Sequence, residues 1–356
     1  MFVRFRKAKM LNEQLSEQHE LSKGPLLDES GNLSEAGFST SLIKNYSRDQ
    51  IKGMKSRIKE WDYYYIGNSH FGVALTIADN SYMALASVSF LNFDKNEQVT
   101  KSKMKFFTFG KLKLPSSSES GTTKVSWKGC EMSFVKEKNQ RKLNVLYKNF
   151  FNKKDLRLEV VLKENNHDSL VISTPFKKKK HFYYNQKINN LSANGYVKFN
   201  DEFYYFDESC SGVLDWGRGI WTYKNTWYWA SINGEYLGKK IGANLGYGFG
   251  DTSLASENMF YLNGSSYKLD DVRFDIPTLP NGKHEYMKEW KFRSSSGDIS
   301  LRFQPVLHRH ANMNLLFLKS NQSQVFGLFS GYILVNGKEE YFENVPGFAE
   351  KVHNCW

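Results

Sequence analysis

The chain has 356 residues, of which 40% are hydrophobic, 24% charged and 15% aromatic. That length supports one large or two medium domains with real cores, with two expected, and it excludes both a disulfide-dependent miniature fold and global disorder. Forty-nine Lys and Arg against 37 Asp and Glu leave a net charge of +12, which permits attraction to polyanions without specifying one.

No apolar run reaches the roughly 20 residues that span a bilayer. The opening MFVRFRKAKMLNEQ lacks the apolar stretch and small-residue cleavage site of a secretion signal. A cytoplasmic location with no transmembrane segment is therefore expected. Cys130, Cys210 and Cys355 are odd in number, far apart and in no CxxC arrangement, so they are expected as free thiols.

In chain order, residues 1–50 are polar, with a turn signal at Leu27-Asp28-Glu29-Ser30-Gly31-Asn32, and read as a mostly irregular lead-in. From Trp61 the pattern changes to short aromatic or β-branched runs separated by polar turns. These are Asp62–Ile66, Phe71–Ile77, Met83–Phe90, Lys124–Phe134, Lys142–Phe150 and Leu156–Leu162, which predict a β-meander. Pro175 through Tyr184 and the polar stretch up to Asn194-Gly195 read as a connection. This places a first β domain over 51–195 and a second over 196–356. Asn-Gly occurs at 194, 233, 263, 281 and 336, and favours type I′ hairpins because both turn residues need positive φ. The fold class is all-β, as two successive antiparallel barrels or sandwiches, since many strands must close or stack to hide their edges.

One segment is unusually concentrated. Ten of the 26 glycines and four of the eight tryptophans fall between Gly212 and Gly264. If Trp221–Trp229 is one strand, its period of two puts Trp221, Tyr223, Asn225, Trp227 and Trp229 on one face. Asn233-Gly234 then predicts a hairpin whose return strand carries Asn244 and Tyr247, with glycine at 246, 248 and 250. A bare glycine face beside bulky rings serves either as a bed for an aromatic side chain or as room for a ligand. Asp215, Arg218, Asp251 and Glu257 lie among these apolar residues, where an ion is costly to bury unpaired. Either Arg218 pairs with Asp215 or Asp251, or one carboxyl keeps a raised pKa and works as a general acid. The ligand-lining candidates are Trp216, Arg218, Trp221, Tyr223, Asn225, Trp227, Trp229, Asn244 and Tyr247. The candidate acids are Asp215, Asp251 and Glu257.

Other signals are weaker. Gly246-Tyr247-Gly248-Phe249-Gly250 has the wrong spacing for a dinucleotide site, and no P-loop or GxSxG string occurs. His308 and His310 share a strand face but lack a third ligand, so no metal and no cofactor are expected. Lys177–Lys180 beside His181-Phe182-Tyr183-Tyr184 has the composition of a single-strand nucleic-acid groove and equally of a solvated loop before a strand. Nucleic-acid binding is not expected, and oligomeric state is left open.

The strings Arg57-Ile58-Lys59-Glu60-Trp61-Asp62-Tyr63-Tyr64, Leu214-Asp215-Trp216-Gly217-Arg218-Gly219, Asn225-Thr226-Trp227-Tyr228-Trp229, Asn244 through Thr252, Glu257-Asn258 and the closing Gly347 through Trp356 resemble the bacterial family named domain of unknown function 2804. So do Leu26-Leu27-Asp28 and Gly31-Asn32-Leu33. More distantly, the chain is similar to the two-domain lipocalin-like group of carotenoid hydratases and related cyclases. The resemblance implies two lipocalin-like domains. It further implies an acid that protonates an alkene or leaving group while aromatic faces stabilise the developing cation. The parts for that chemistry are Asp215, Asp251 or Glu257 with Trp216, Trp221, Trp227 and Trp229. Three classes stay open: an acid-catalysed hydratase, isomerase or lyase for a small apolar or amphipathic molecule, a non-catalytic lipid or isoprenoid carrier, and a carbohydrate-active or carbohydrate-binding protein.

Overall fold

The computed structural model describes residues 18–165, 168–315 and 318–355, so residues 1–17 of the expected lead-in lie outside it. Twenty-four strands are described. Short strands β1 (Gly24–Pro25), β2 (Gly37–Ser39) and β3 (Lys44–Asn45) belong to the lead-in. The first large sheet is built from β2, which pairs with β12, and from β4 (Ile58–Gly67), β5 (Phe71–Asp79), β6 (Met83–Asn92), β7 (Glu97–Phe106), β8 (Gly121–Trp127), β9 (Cys130–Glu137), β10 (Gln140–Phe151), β11 (Lys154–Lys163), β12 (Leu170–Pro175), β13 (Phe182–Phe199), β14 (Glu202–Phe206) and β15 (Ser211–Ile220). The second holds β16 (Lys224–Tyr236), β17 (Lys239–Tyr247), β18 (Met259–Leu262), β19 (Ser265–Lys268), β20 (Arg273–Asp275), β21 (Trp290–Arg293), β22 (Ile299–Leu315), β23 (Leu318–Val335) and β24 (Lys338–Cys355). Among the described residues no helix is long and apolar enough to cross a membrane.

The main path of the first sheet is β7-β6-β5-β4-β15-β13-β11-β10-β9-β8, and that of the second is β19-β18-β17-β16-β24-β23-β22-β21-β20. Both are antiparallel throughout. Each curls around its own apolar filling, giving two lipocalin-like halves. Leu75, Val88, Leu143, Leu158 and Trp216 fill the first, and Ile241, Phe260, Trp290, Phe303 and Phe329 the second. The lead-in has almost no core of its own, but Leu26, Leu27 and Tyr46 are buried in the first filling.

The expected boundary near residue 195 falls inside β13. Asn194-Gly195 makes no turn there, because Asn194 and Gly195 sit opposite Val161 and Val160 in an unbroken ladder with β11. The chain leaves the first sheet after Ile220 and enters the second at Lys224. Asn233-Gly234 is likewise interior to a strand, opposite Gly242 and Ile241, and the β16–β17 turn is made by Leu237-Gly238 with φ of 49° and 74°. Asn263-Gly264 and Asn336-Gly337 do form hairpin turns, with positive φ at both residues.

Asn233 is strand-interior because its side chain is used elsewhere. β13 shifts register between Ile188 and Leu191. In that irregularity Asn189 Nδ2 donates to Asn233 Oδ1 at 3.0 Å and to Ala243 O at 3.1 Å, and Asn190 N donates to Asn233 Oδ1 at 2.9 Å. A distortion in one sheet thus hooks the β16–β17 hairpin of the other.

Candidate functional site

Strand parity assigns the faces. On β15, Leu214, Trp216 and Ile220 point into the first filling, which leaves Val213, Asp215 and Gly217 on the outer face. Trp61, Tyr63 and Tyr65 of β4 and Tyr183, Asn185 and Lys187 of β13 share that outer face, since Asp215 lies opposite both Tyr63 and Lys187. From the second sheet come Trp227 and Trp229 of β16, Asn244 of β17, Gln324 and Phe326 of β23, and Phe348 and Glu350 of β24. The outer faces of the two sheets therefore meet in a seam, and the site lies in it.

Three carboxyls are buried there. Asp215 accepts from Lys187 Nζ at 2.9 Å, Asn185 Nδ2 at 2.6 Å and Trp61 Nε1 at 3.0 Å. The Lys187 ammonium in turn sits 4.2 Å from the Trp229 ring centroid, so the ion pair leans on an aromatic face. Glu350 accepts from Trp227 Nε1 at 3.1 Å, Gln322 Nε2 at 3.0 Å and Gln324 Nε2 at 3.2 Å. Burial raises its pKa against the pull of those donors.

Glu257 is in a different state. Its Oε1 is buried without a hydrogen-bond partner. Burial pushes its pKa up to about 7, with Asp215 adding to the rise and Lys187 and Lys268 opposing it. The loop that carries it is held firmly: Asn244 Nδ2 donates to Glu257 O at 2.6 Å while Asn244 Oδ1 accepts from Trp229 Nε1 at 2.6 Å. Lys268 Nζ donates to Ser256 Oγ at 2.6 Å and to Ser256 O and Asn258 O at 2.9 Å each. Burial pulls the Lys268 pKa down, but an acceptor set of this size matches the three donors of an ammonium. From the lead-in, Gln18 Oε1 accepts from Ser256 N at 2.8 Å.

Aromatic rings close the seam around these groups. Trp61 stacks on Tyr183 at 5.8 Å and meets Trp221 edge-on at 5.2 Å, and Phe249 lies within 5.2 Å of Tyr183, Trp221 and Trp227. The buried Tyr183 hydroxyl has a pKa driven well above its ordinary value, first by burial and then by the negative charges of Asp215, Glu257 and Glu350. Phe249 reaches this position through the glycine string. Gly248 and Gly250 have φ of 93° and 74°, so the string is a bend that drops Phe249 into the seam. The glycine that lets a ring lie flat is Gly217, where an added Cβ would fall 2.0 Å from Trp61 Cζ2. Gly217→Ala is expected to expel Trp61, lower stability by about 1–3 kcal/mol and free the Asp215 oxygen that Trp61 holds. Denaturant unfolding together with tryptophan near-ultraviolet dichroism checks this.

Of the candidate residues, Asp215, Glu257, Trp221, Trp227, Trp229 and Asn244 come together in the seam. Trp216 and Arg218 lie on the opposite face of β15, inside the first sheet. The expected pairing of Arg218 with Asp215 or Asp251 is not formed. Arg218 instead bonds Asp62 at 3.1 Å, Trp61 O at 2.7 Å and Pro115 O at 2.9 Å, because a three-residue offset from Asp215 reverses its side on a strand. Tyr247 stacks on Tyr228 at 4.5 Å towards the second filling. Tyr223 and Asp251 are exposed, and Asp251 caps Ser253 N at 3.1 Å. Asn225 is buried but holds the preceding turn through Thr222 O at 2.6 Å. Lys177–Lys180 form the exposed turn between β12 and β13. Among the described residues, no three His, Cys, Asp or Glu side chains gather as a cation site.

The model of the family described as domain of unknown function (DUF2804) matches residues 17–356. The chain belongs to that family. No curated protein sequence matches this DUF2804 protein. Among solved structures, a protein assigned as an AttH from Nitrosomonas europaea superposes with a TM-score of 0.53 at 12% identity, covering 94% of this chain and 99% of that one. Kievitone hydratase from Nectria haematococca gives 0.47 at 12% identity, covering 94% and 97%. At such identities the AttH likeness speaks for a shared two-domain fold.

The seam residues Trp61, Tyr183, Lys187 and Glu350 escape a local reading of the sequence, since these partners of the 212–264 segment arrive from three other strands, β4, β13 and β24. A usable signal exists for Lys187, the one charge in the buried run from Phe182 to Leu191, the same anomaly that marks Asp215.

Proposed function

We propose that the DUF2804 protein binds a small apolar or amphipathic molecule in the seam and catalyses an acid-assisted addition, elimination or isomerisation on it. One observation carries this: Glu257 is a buried carboxyl with an unpartnered oxygen, its pKa pushed up to about 7, in a seam lined by aromatic rings. A buried polar atom without a partner is the exception in folded proteins and marks where a ligand atom or water completes the structure. Trp221 Nε1, Gln324 Oε1 and Asn185 Oδ1, all on residues bordering the seam, are in the same condition.

In this reading Glu257 delivers a proton to an alkene carbon or leaving group, the acid favoured when its pKa matches the working pH. Positive charge then develops on the substrate. The Trp227 ring and the fixed Asp215 carboxyl stabilise that charge, and Lys187 holds Asp215 in place. The cation then loses a neighbouring proton to Asp215 or Glu350, or takes up water whose proton goes to one of them, and in the reverse direction Glu257 takes back the proton it gave. Burial of all three carboxyls favours a small enclosed molecule over a polysaccharide laid in an open groove.

The test is native mass spectrometry of protein purified from its own host, followed by solvent extraction. A stoichiometric apolar or amphipathic molecule is expected, and it is expected to be lost from Trp227→Ala. Protein that is empty as purified, and that takes up no apolar probe in a way that Trp227→Ala weakens, contradicts the reading.

A further inference from the structure

The edge strand β7 of the first sheet runs into a loop that holds apolar rings out to water. Phe106, Phe107 and Phe109 are 54%, 69% and 50% exposed, and Met104 just before them is also exposed. The loop is built to present them. Thr108 between the rings is buried and donates to Asp79 Oδ1 at 2.8 Å, while Phe107 N and Phe109 N donate to Tyr82 O at 2.7 Å and Ser81 O at 2.9 Å. Phe107 and Phe109 stand at φ of 58° and 48°, in the left-handed region that bulky residues avoid. A loop selected only for stability would carry Gly or Asn at these two positions, so the strain is tolerated for what the rings do outside.

The charges that flank them in sequence have one sign, and the Asp79 carboxylate beneath the loop is fully buried. Lys101, Lys103, Lys105, Lys111 and Lys113 flank the three phenylalanines, and no Asp or Glu occurs between Glu97 and Glu119. We propose that this rim docks onto an anionic lipid surface, the rings entering the headgroup boundary and the lysines meeting the lipid phosphates. Exposed aromatics ringed by cations suit that partner better than a protein face, where an apolar patch meets a complementary apolar patch.

The position of the rim adds a purpose. Phe106 pairs with Met83, Asp79 with Glu60, and Ile58 with Ile220, so the rim sits at the end of the sheet where Trp221 begins the seam wall. Tyr82, which anchors Phe107, lies 3.3 Å from Lys59 Nζ, and Lys59 Nζ is 5.3 Å from the Trp221 ring centroid. A molecule dissolved in the bilayer would meet the protein beside its seam. The docking itself stands whether or not the seam is catalytic.

Co-sedimentation with vesicles tests it. Binding is expected to phosphatidylglycerol–phosphatidylcholine vesicles at low salt, with little to pure phosphatidylcholine, and release is expected near about 1 M salt, where screening is nearly complete. The double variant Phe107→Asn, Phe109→Asn is expected to lose roughly tenfold or more in partitioning. Because Asn tolerates the left-handed region, its thermal midpoint is expected to hold or rise. Lys111→Gln with Lys113→Gln is expected to weaken binding to the anionic vesicles alone. No binding to phosphatidylglycerol vesicles at low salt, or equal binding by the Asn variant, overturns the proposal. Self-association that the Asn variant abolishes, without vesicle binding by the parent, overturns it too and assigns the patch to a second copy of the chain.

Discussion

Glu257→Gln is expected to abolish turnover of the seam's substrate by a factor of about 10²–10⁴ while leaving ligand uptake in place, because the amide keeps the shape and cannot give a proton. The same substitution has a signature that needs no substrate. The folded-state pKa of Glu257 is raised from 4.5 to about 7, so the folded protein holds this proton more tightly than the unfolded chain. Its stabilising share is fully present below about pH 4.5 and is lost as pH rises through about 7. Two to three pK units correspond to roughly 3 kcal/mol. Urea unfolding of the parent between pH 4.5 and 8 should therefore show a fall of that order that is missing in Glu257→Gln, and above pH 7 the variant should be the more stable protein. Parallel curves for the two proteins would mean that Glu257 is ionised like an ordinary surface glutamate, and the acid role would be lost with it.

Lys187→Met should be the most damaging single change in the seam. It removes the ammonium 2.9 Å from Asp215 and leaves that carboxyl buried with two neutral donors, Asn185 and Trp61. Breaking a buried pair from one side typically costs about 3–5 kcal/mol. Adding Asp215→Asn should restore most of the loss, because the uncompensated charge goes with it and the methionine stem can still cover Trp229. The measurement is a double-mutant cycle by denaturant unfolding. A double variant as unstable as the sum of the singles would show that Lys187 acts by packing and that the seam's counter-charge lies elsewhere.

Much of the fold was legible because it is written in short-range terms. Alternation and turn residues marked β4, β5, β6, β10 and β11 close to their observed places, and the aromatic and glycine bias drew attention to the strands that build half of the seam. The failures have physical causes. Asn-Gly marks a turn only when its side chain is free to face water, and Asn233 is committed to Asn189 and Asn190 across the sheets. Asp215 and Arg218 look adjacent in the string Asp-Trp-Gly-Arg, yet strand parity sends them to opposite faces, so counting by two would have separated them. Lys187, Tyr183, Trp61 and Glu350 join the site through pairings of strands distant in sequence, which no window of ten residues reports. Glu257 was a candidate by its setting, but its separation from the exposed Asp251 depends on the bend at Gly248 and Gly250.

The pairing of β16 with the last strand has a consequence for synthesis. Trp227 and Trp229 find Val352 and Glu350 only once residues 350–352 have left the ribosome, whereas β4 and β15 can zip together once residue 220 has emerged. For the more than 120 residues in between, the nascent chain holds a closed first half whose outer face carries Trp61, Tyr63, Tyr65 and an Asp215–Lys187 pair still open to water. Contacts this remote in sequence form slowly and leave sticky surface waiting. The face that becomes the seam is therefore, during translation, exposed apolar surface that is covered only when β24 arrives.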